Sequence, residues 1–417
     1  MSIEIPTAVQ AVLNRLEQAG FEAYVVGGCV RDSLLGRTPQ DWDVTTDALP
    51  EQMLRAFAGE RVLPTGLQHG TVTVLSNAMS VEVTTYRVDG AYSDHRHPDQ
   101  VRFVRQLRED LARRDFTVNA MAYHPRVGLV DPYGGQADLA AARIRCVGDP
   151  DRRFTEDALR VLRALRFAAV LEFAIEEITA QSIRRQYHRL SAVAAERKAA
   201  ELTKLLCGDN AFAVLRDYPE VAAHVLPPLR GTIGFEQHNP HHCYDVYTHS
   251  LHALAHTPPT VILRLAALLH DVGKPACYTQ DENGIGHFYG HAAISADLAE
   301  DCLQTLRLDH KTICEVVSLV KYHDLPLLPE RHILRRRLNR FGENTLRELI
   351  ALQRADIAAQ PPAYADRQQV LDQAERLLGD ILREGDCVSL RNLAVKGNDL
   401  LAIGVPAGKD IGRMLTL

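Results

Sequence analysis

The hydrophobic period of the chain changes near residue 135, and this change limits the possible fold more than any other feature. Up to about residue 132, short segments with strand-like alternation follow one another, with helical segments between them. After about residue 138, apolar residues recur almost only at the spacing of helices. This order predicts an α+β chain, in which a small head with a mixed sheet precedes an all-α remainder.

The length and composition exclude several classes of protein. The 417 residues allow roughly two to four domains, and 46% apolar and 24% charged residues are ordinary values for a globular chain. No run of eighteen apolar residues occurs, and the N-terminus lacks the pattern of a secretory signal. We therefore expect neither a membrane span nor secretion.

Cysteine usage and charge narrow the setting further. The eight cysteines include no CxxC pair, which favours a reduced, cytoplasmic protein without a zinc ribbon. With a formal net charge of −6, contacts to nucleic acid have to come from local basic patches. The last residues, IGRMLTL, show no terminal helix cap, so the sequence leaves open that a C-terminal piece is missing.

Acidic residues in the segment DWDVTT form the first candidate site. Asp41 and Asp43 are two apart in a predicted strand over 41–45, which places both carboxylates on one face. Carboxylate oxygens are ligands that Mg²⁺ prefers, although such a pair is also typical of a solvated turn. Glu82, in a predicted hairpin strand over 81–87, is a third candidate ligand if the two strands are adjacent, and otherwise a solvent-facing glutamate.

Glycine and arginine residues near this acidic pair favour an anion site. In VVGGCVRD a predicted strand ends at two glycines and a helix begins, so that Gly28 and Arg31 stand where a phosphate can approach the backbone. A plain helix start has the same pattern. The segment RRDFTVNA adds Arg113 and Arg114, which can clamp a triphosphate or belong to a surface charge cluster.

Several segments together carry a family resemblance. The chain contains, in this order and at fitting spacings, GGCVRD, DWDVTTD, HGTV, EVTTYRVDG and RRDFTVNA. This series resembles the class II tRNA nucleotidyltransferase and poly(A) polymerase family, whose heads are of the polymerase-β type. The resemblance implies that Asp41 and Asp43 hold two Mg²⁺ ions and that Gly28, Arg31 and Arg114 contact the incoming nucleotide. The ions would align the RNA 3′-hydroxyl with the α-phosphate for in-line displacement.

A second candidate site lies in EDALRVLRALRF, predicted as one amphipathic helix over 156–167. Asp157 and Arg160 would share a face, where the carboxylate can accept from the exocyclic amine of cytosine or adenine while the guanidinium donates to the ring nitrogen. Guanine and uracil present a carbonyl next to a ring N–H, so the order of donor and acceptor on the base edge is reversed. The alternative is an ordinary intrahelical ion pair. Arg163 and Arg166 lie on other faces of the predicted helix, and we expect them to contact phosphates or the head domain.

The family resemblance supports the base-reading interpretation. Family members read CTP and ATP with an aspartate and an arginine at the positions of Asp157 and Arg160. The segment AAERKAAEL resembles the family motif on the next helix, and we expect Glu196 and Arg197 to brace the pocket.

A histidine-rich stretch forms a third candidate site. His249 lies one helix before the pair His270–Asp271, and imidazole and carboxylate groups are ligands for divalent metals. The pattern resembles H…HD…D of the HD phosphohydrolase superfamily, with Asp324 or His323 as the last member and His291 as an extra ligand or a phosphate contact. An active site of this type would bind a second divalent metal of unknown identity and hydrolyse phosphate mono- or diesters, but the domain can also be vestigial.

Basic residues of the C-terminal part are candidates for RNA contacts. The segment ILRRRLNRF contributes Arg335, Arg336 and Arg337, which can contact tRNA phosphates or form a solvated helix face. The predicted domains are a nucleotidyltransferase head (1–137), a neck and body that bind nucleotide base and RNA (138–232), an HD domain (233–330) and a helical tRNA-binding tail (331–417).

The combined prediction is an enzyme that adds C, C and A to the tRNA 3′ end from CTP and ATP with Mg²⁺ and without a template. We expect no membrane contact, and no protein partner is evident. The segment GLQHGTV (66–72) favours this activity over a poly(A) polymerase of the same fold. Addition of CC only or A only remains open, because it depends on the loop over 88–100. The remaining alternative is an HD phosphohydrolase whose head merely binds nucleotide.

Overall fold

The computed structural model describes residues 3–77, 79–90, 101–384, 397–406, 408 and 414. The chain forms two compact units, Met1–Val225 and Leu226–Leu417. Among the helices of these described ranges, none combines the length and the apolar composition that crossing a bilayer requires. The predicted boundary at 232/233 lies a few residues after the division between the units, and the other predicted domain boundaries stay predictions.

The first unit contains both strands and helices. Its strands are β1 (Ala23–Val26), β2 (Asp43–Thr46), β3 (Arg61–Gly66), β4 (Thr71–Ser76), β5 (Met79–Thr85), β6 (Arg87–Asp89), β7 (Val101–Phe103), β8 (Ala122–His124), β9 (Gly128–Val130), β10 (Arg143–Ile144) and β11 (Ala174–Ile175). Its helices are α1 (Thr7–Gln18), α2 (Gly28–Leu34), α3 (Pro50–Ala56), α4 (Leu107–Ala112), α5 (Gly135–Ala140), α6 (Pro150–Glu156), α7 (Leu159–Leu171), α8 (Glu177–Gln186), α9 (Ala195–Leu206), α10 (Ala211–Asp217) and α11 (Pro219–Val225).

A seven-stranded sheet organises the head. Its strand order is β3-β4-β5-β2-β1-β8-β9, in which β2 and β5 run parallel and the other neighbours run antiparallel. The sheet is therefore mixed, and the predicted α+β class with a mixed sheet in the head is confirmed. Alternation sets its faces: Val81 and Val83 of β5 are fully buried, while Glu82 between them is exposed.

Two predicted elements end at different residues in the structure. Strand β2 begins at Asp43, so Asp41 lies just before the strand and not within it. The predicted helix over 156–167 is confirmed from Leu159 onward, but its predicted start is wrong, because α6 ends at Glu156 and α7 begins at Leu159. Asp157 between them has extended backbone angles, and its side chain accepts a hydrogen bond from the Leu159 amide. A short acidic side chain competes in this way with the helical backbone pattern.

The loop predicted over 88–100 is only partly described. Its first residues continue β6, which pairs with β7, and residues 91–100 lie outside the described chain. The prediction that this loop decides which nucleotides are added therefore stays a prediction.

The second unit is mainly helical. Its helices are α12 (Val246–His256), α13 (Val261–Leu269), α14 (His291–Thr305), α15 (His310–Tyr322), α16 (Arg331–Ala358), α17 (Arg367–Arg383) and α18 (Gly397–Ala402), with a hairpin of β12 (Thr279–Gln280) and β13 (Gly286–His287). Helix α12 packs against α13 and α16. Gly342 has left-handed, non-helical angles inside α16 and divides it into two segments. This packing brings residues from α12, α13 and α16 to one place.

Candidate functional sites

Three carboxylates meet at the centre of the head sheet. The parallel register pairs Asp43 of β2 with Glu82 of β5, so the two strands are adjacent. This adjacency is the condition under which Glu82 is a third candidate ligand. Asp41 is exposed just before β2. Burial raises the pKa of the Asp43 carboxyl; Arg114 opposes this shift, and the charges of Glu82 and Asp41 raise the pKa further. Crowded carboxylates of this kind favour a divalent cation, so the donor set fits Mg²⁺.

The glycine turn beside this sheet makes room for an arginine. Gly27 has a φ of +84°, and a Cβ atom placed on it would lie 2.7 Å from Nη1 of Arg114. The Gly27 amide donates to the Met121 carbonyl at 3.1 Å, so this amide is not open to a phosphate. Burial lowers the pKa of Arg114, and Asp110 opposes the shift. The absence of a side chain at Gly27 thus leaves room for the Arg114 guanidinium near Asp43. Gly28, the next residue, begins α2.

Arg31 is tied into a chain of buried polar groups. Its Nε donates to Asp32 at 2.8 Å, and its Nη1 donates to Oδ1 of Asn119 at 2.6 Å. Asn119 donates to Asp115 at 3.1 Å, and Nη2 of Arg163 lies 2.6 Å from the other oxygen of Asp115. Burial alone would raise the pKa of Asp115, but Arg163 and Asn119 hold it well below its ordinary range. The chain connects α2 of the head to α7.

A pocket of about 240 Å³ contains most of the predicted base-reading residues. Its lining residues are Arg113, Arg114, Asp115, Asp157, Leu159, Arg160, Arg163 and Arg197. The carboxylate of Asp157 accepts from the Leu159 amide at 3.0 Å and from Nη2 of Arg197 at 2.9 Å. Arg197, expected as a brace, is therefore both a partner of Asp157 and part of the pocket wall.

Arg160 and Arg166 have other neighbours than the helix geometry predicted. Asp157 and Arg160 do not share a helix face, since Asp157 precedes α7 and Arg160 pairs with Glu156 at 2.8 Å. Nη2 of Arg160 also donates to the Arg113 carbonyl at 3.1 Å. Arg166 forms an ion pair with Glu201 at 2.7 Å and lies over the Phe167 ring. Both Asp157 and Arg160 nevertheless line the same pocket.

The histidines of the second unit form a first metal-ligand triad. His249, His270 and Asp271 bring ligand atoms within 4.8 Å of one another, and all three residues are buried. Nε2 of His270 lies 3.1 Å from Asp271, and Nε2 of His249 lies 2.8 Å from Oδ1 of Asp356. Sequence reasoning missed Asp356, which lies on α16 in the predicted tail.

A second triad shares one of these residues. Asp271, His291 and His323 also bring ligand atoms within 4.8 Å of one another. Oδ1 of Asp271 is 3.2 Å from Nε2 of His291, while its Oδ2 faces His270 of the first triad. Asp271 can therefore bridge two ions. Asp324, the predicted last ligand, is 60% exposed in its side chain and lies beside His291 at 3.2 Å, so it joins the second triad and not the first.

Ring orientation in this cluster fits cation binding. The Nδ1 atoms of His270, His291 and His323 each lie 2.7–2.8 Å from a backbone carbonyl, which makes Nδ1 the protonated nitrogen. Each Nε2 then carries a lone pair. Nε2 of His291 and Nε2 of His323 face each other at 3.2 Å, and two lone pairs at this distance repel unless a cation or proton lies between them. The cluster is therefore suited to divalent metal ions.

The predicted RNA contacts lie on the first segment of α16. Arg335 and Arg336 are exposed, and Arg337 is half-buried. Their position on one helix is compatible with contacts to phosphates, and the tRNA role stays a prediction.

Comparisons with known proteins confirm the predicted polymerase-β-type head and find family models in both units of the chain. The family model described as the poly A polymerase head domain matches residues 23–145, and one described as the probable RNA- and SrmB-binding site of polymerase A matches 172–227. The HD domain model matches residues 241–359. This last range includes Asp356.

Curated relatives match about half of the chain. A CCA-adding enzyme of Lactobacillus delbrueckii subsp. bulgaricus is 46% identical over 215 residues, which cover 52% of this chain and 54% of the relative. A CCA-adding enzyme of Leuconostoc mesenteroides is 48% identical over 202 residues, or 48% of this chain and 50% of the relative. The chain thus spans about half the length of the curated relatives it matches.

Solved structures cover nearly the whole chain. The Bacillus stearothermophilus CCA-adding enzyme in complex with CTP has a TM-score of 0.71 at 28% identity, with 99% of this chain and 92% of the other covered. The Thermotoga maritima CCA-adding enzyme complexed with tRNA CCA has a TM-score of 0.57 at 20% identity, with 100% and 93% covered. The second likeness shows the fold alone.

Proposed function

Since the chain belongs to the tRNA nucleotidyltransferase and poly(A) polymerase family, we propose that it adds C, C and A to the 3′ end of tRNA from CTP and ATP. The observation that supports this most directly is the register of Asp43 beside Glu82, with Asp41 next to them. The matched relatives and solved structures are CCA-adding enzymes. A reduced, cytoplasmic setting is proposed with this function.

The carboxylates and the arginines of the head would have different roles in the reaction. Asp41, Asp43 and Glu82 would hold Mg²⁺, which supplies activation of the RNA 3′-hydroxyl and stabilises charge on the α-phosphate and the leaving pyrophosphate. Arg114, which lies against Gly27 and acts on the charge of Asp43, would neutralise triphosphate oxygens near the same carboxylates. Arg31 and Gly28 would complete the nucleotide contact from α2.

Base choice would be made in the pocket around Asp157. Its carboxylate accepts from the exocyclic amine of cytosine or adenine, and a guanidinium of the pocket wall, Arg160 as predicted, donates to the ring nitrogen. Guanine and uracil would leave both groups unpaired, at about 1–3 kcal/mol each. Arg163 pairs with Asp115 in the wall of this pocket. Arg335, Arg336 and Arg337 would contact tRNA phosphates.

The test offers labelled CTP and ATP to tRNA that lacks its 3′ end. Extension by three nucleotides supports CCA addition, a long A tract indicates a poly(A) polymerase, and extension by CC or A alone indicates a partial enzyme. Labelled GTP should not be incorporated. Failure to incorporate any nucleotide contradicts the proposal.

We also propose that the second unit hydrolyses phosphate esters. The observation that favours this function is the pair of ligand triads that share Asp271, because two ions can activate water and polarise a phosphoryl oxygen. The buried ammonium of Lys274 lies 2.6 Å from Asp271, within reach of the same centre. The test measures phosphate release with Mn²⁺, Co²⁺ or Ni²⁺ added in turn. A lack of release with each of these metals contradicts the hydrolase proposal.

A further inference from the structure

The second triad, Asp271, His291 and His323, opens into a cleft of about 400 Å³ in the second unit. We call it the HD cleft and define it by Asp271, Lys274, His291, His323, Tyr289 and Arg367, which line it. Metal ligands and a buried lysine lie in its interior, whereas the side chain of Tyr289 is 79% exposed. A large aromatic side chain thus stands in solvent on the wall of a cleft whose other lining residues, apart from Phe288 and Gly290, are polar or charged.

The chain holds the Tyr289 ring in a defined place. The ring is nearly parallel to that of His287, with an angle of 9° and centroids 5.5 Å apart, and Nε2 of His287 lies 3.1 Å from Asp281. Gly290 has a φ of +79°, so the backbone turns sharply between Tyr289 and the metal-ligand candidate His291. Nδ1 of His291 is fixed by the Phe288 carbonyl at 2.8 Å. The ring therefore lies beside His287, two residues before His291 of the second triad.

We propose that Tyr289 is a specificity-determining residue of the HD cleft, which stacks on the flat ring of nucleotide-type phosphate esters while the metal ligands hold the phosphate. The proposal rests on the hydrolase function proposed above. Every nucleobase has a π-face, and stacking on an exposed aromatic ring discriminates nucleotides from esters without a ring.

Arg367 gives the cleft a second cation. It begins α17 and lies outside the residues 241–359 that the HD domain model matches. It is exposed, and its Nη1 donates to Oε1 of Gln360 at 3.0 Å. Together with Lys274, it provides positive charge for a phosphate group, so a base on Tyr289 and a phosphate near the triads can be held at once.

The test compares two kinds of ester, with and without a ring, on the full-length protein. Adenosine 2′-, 3′- and 5′-monophosphates carry a ring, and β-glycerol phosphate carries none; phosphate release is measured with Mn²⁺, Co²⁺ or Ni²⁺. Tyr289→Leu should raise KM about tenfold for the nucleotide that wild type hydrolyses, with kcat nearly unchanged. KM for β-glycerol phosphate should stay within about twofold of wild type on the same grounds, because that ester has no ring to stack. Tyr289→Phe should behave as wild type.

A matched control is available in the same unit. Tyr244 is 37% exposed and stacks on His252 at 4.3 Å, but it does not line the HD cleft. Tyr244→Leu should leave both KM values unchanged. Thermal unfolding of each variant checks the fold, and Tyr289→Gln replaces Tyr289→Leu if the latter unfolds.

The outcomes separate the two proposals. Equal KM changes for both esters, or none for either, overturn the role of Tyr289 and leave the hydrolase proposal standing. A wild-type protein that hydrolyses neither ester overturns the hydrolase proposal and this inference with it. If Tyr289→Leu changes only the sedimentation coefficient, the exposed ring belongs to an interface between copies and the proposal is wrong.

Discussion

Oδ1 of Asp356 lies 2.8 Å from Nε2 of His249, although 107 residues separate the two in the chain. The same oxygen is 3.7 Å from Nε2 of His270. Asp356 therefore completes the surroundings of the first triad, in the place where the sequence suggested Asp324 or His323.

We expect Asp356→Ala to weaken metal binding at the first triad by at least about tenfold and to abolish phosphate release, because it removes a charged partner of two ligand histidines. Asp324→Ala is the matched control, since its side chain is 60% exposed and contacts only the second triad among the described ligands. Competition with a chromophoric chelator measures the affinity. A larger loss in the Asp324 variant than in the Asp356 variant would contradict this assignment.

The bridging position of Asp271 predicts a particular metal stoichiometry. Wild-type protein should bind two divalent ions in the second unit, His291→Ala should retain one, and Asp271→Asn should retain none, because only Asp271 belongs to both triads. Mass spectrometry of the metals after dialysis gives the counts. These counts should be taken in an Asp41→Ala background, so that the head does not contribute. A single ion in both wild type and His291→Ala would exclude the bridge.

The head carboxylates are expected to be essential for nucleotide addition alone. Asp41→Ala and Asp43→Ala should each lower incorporation about a thousandfold or more, because the metal that stabilises the negative charge of the transition state is no longer held. Phosphate release by the second unit should persist. Glu51→Ala, a carboxylate in the first turn of α3, is the control and should retain incorporation.

A binding readout distinguishes this loss from misfolding. Trp42 is the only tryptophan of the chain and is 5% exposed between the two aspartates. Its fluorescence should change on addition of Mg²⁺ and CTP to wild type and not to the aspartate variants. Full incorporation by either variant would contradict the assignment of Asp41 and Asp43 as metal ligands of the head.

The mixed α and β character of the head could be predicted from the sequence because the signals for its elements are local. Asp41 and Asp43 lie within three residues, and alternation along β5 already turned Glu82 away from the core. Whether β2 and β5 pair is a long-range property, so from the sequence Glu82 was a candidate ligand only if the two strands are adjacent. The observed register meets this condition.

Two features were beyond local patterns. The end of α6 before Asp157 depends on one side-chain hydrogen bond to the Leu159 amide, which helical periodicity does not reveal. Asp356 reaches the histidines only because α16 packs against α12. An aspartate in the polar pattern of a long helix gives no signal of that contact.

The ion pair of Asp157 with Arg197 predicts a change in base choice. Arg197→Ala should raise KM for CTP and ATP about tenfold and increase UTP incorporation, because the Asp157 carboxylate loses the guanidinium that orients it. The control is Arg185→Ala, which removes an exposed ion pair with Asp151 outside the pocket. Primer-extension kinetics with each nucleotide measure both effects. Unchanged discrimination in Arg197→Ala would show that Asp157 is oriented without it.

Gly27 allows a test of how closely Arg114 must approach the sheet. In Gly27→Ala the new Cβ would lie 2.7 Å from Nη1 of Arg114, so the guanidinium has to leave its present position. Gly20→Ala is the control, because Gly20 has a φ of +87° and a Cβ atom added there would have no heavy atom of another part of the described chain within 4 Å. Both variants should lose about 1–2 kcal/mol of unfolding free energy from the left-handed backbone.

Only the Gly27 variant should lose nucleotide affinity. Displacement of Arg114 removes a cation from the triphosphate side of the carboxylates, so KM for CTP and ATP should rise by about tenfold or more at similar thermal stability to Gly20→Ala. Chemical denaturation and primer-extension kinetics on both proteins separate backbone strain from the loss of the contact. Equal KM values in the two variants would mean that the guanidinium position is not set by the absence of a side chain at residue 27.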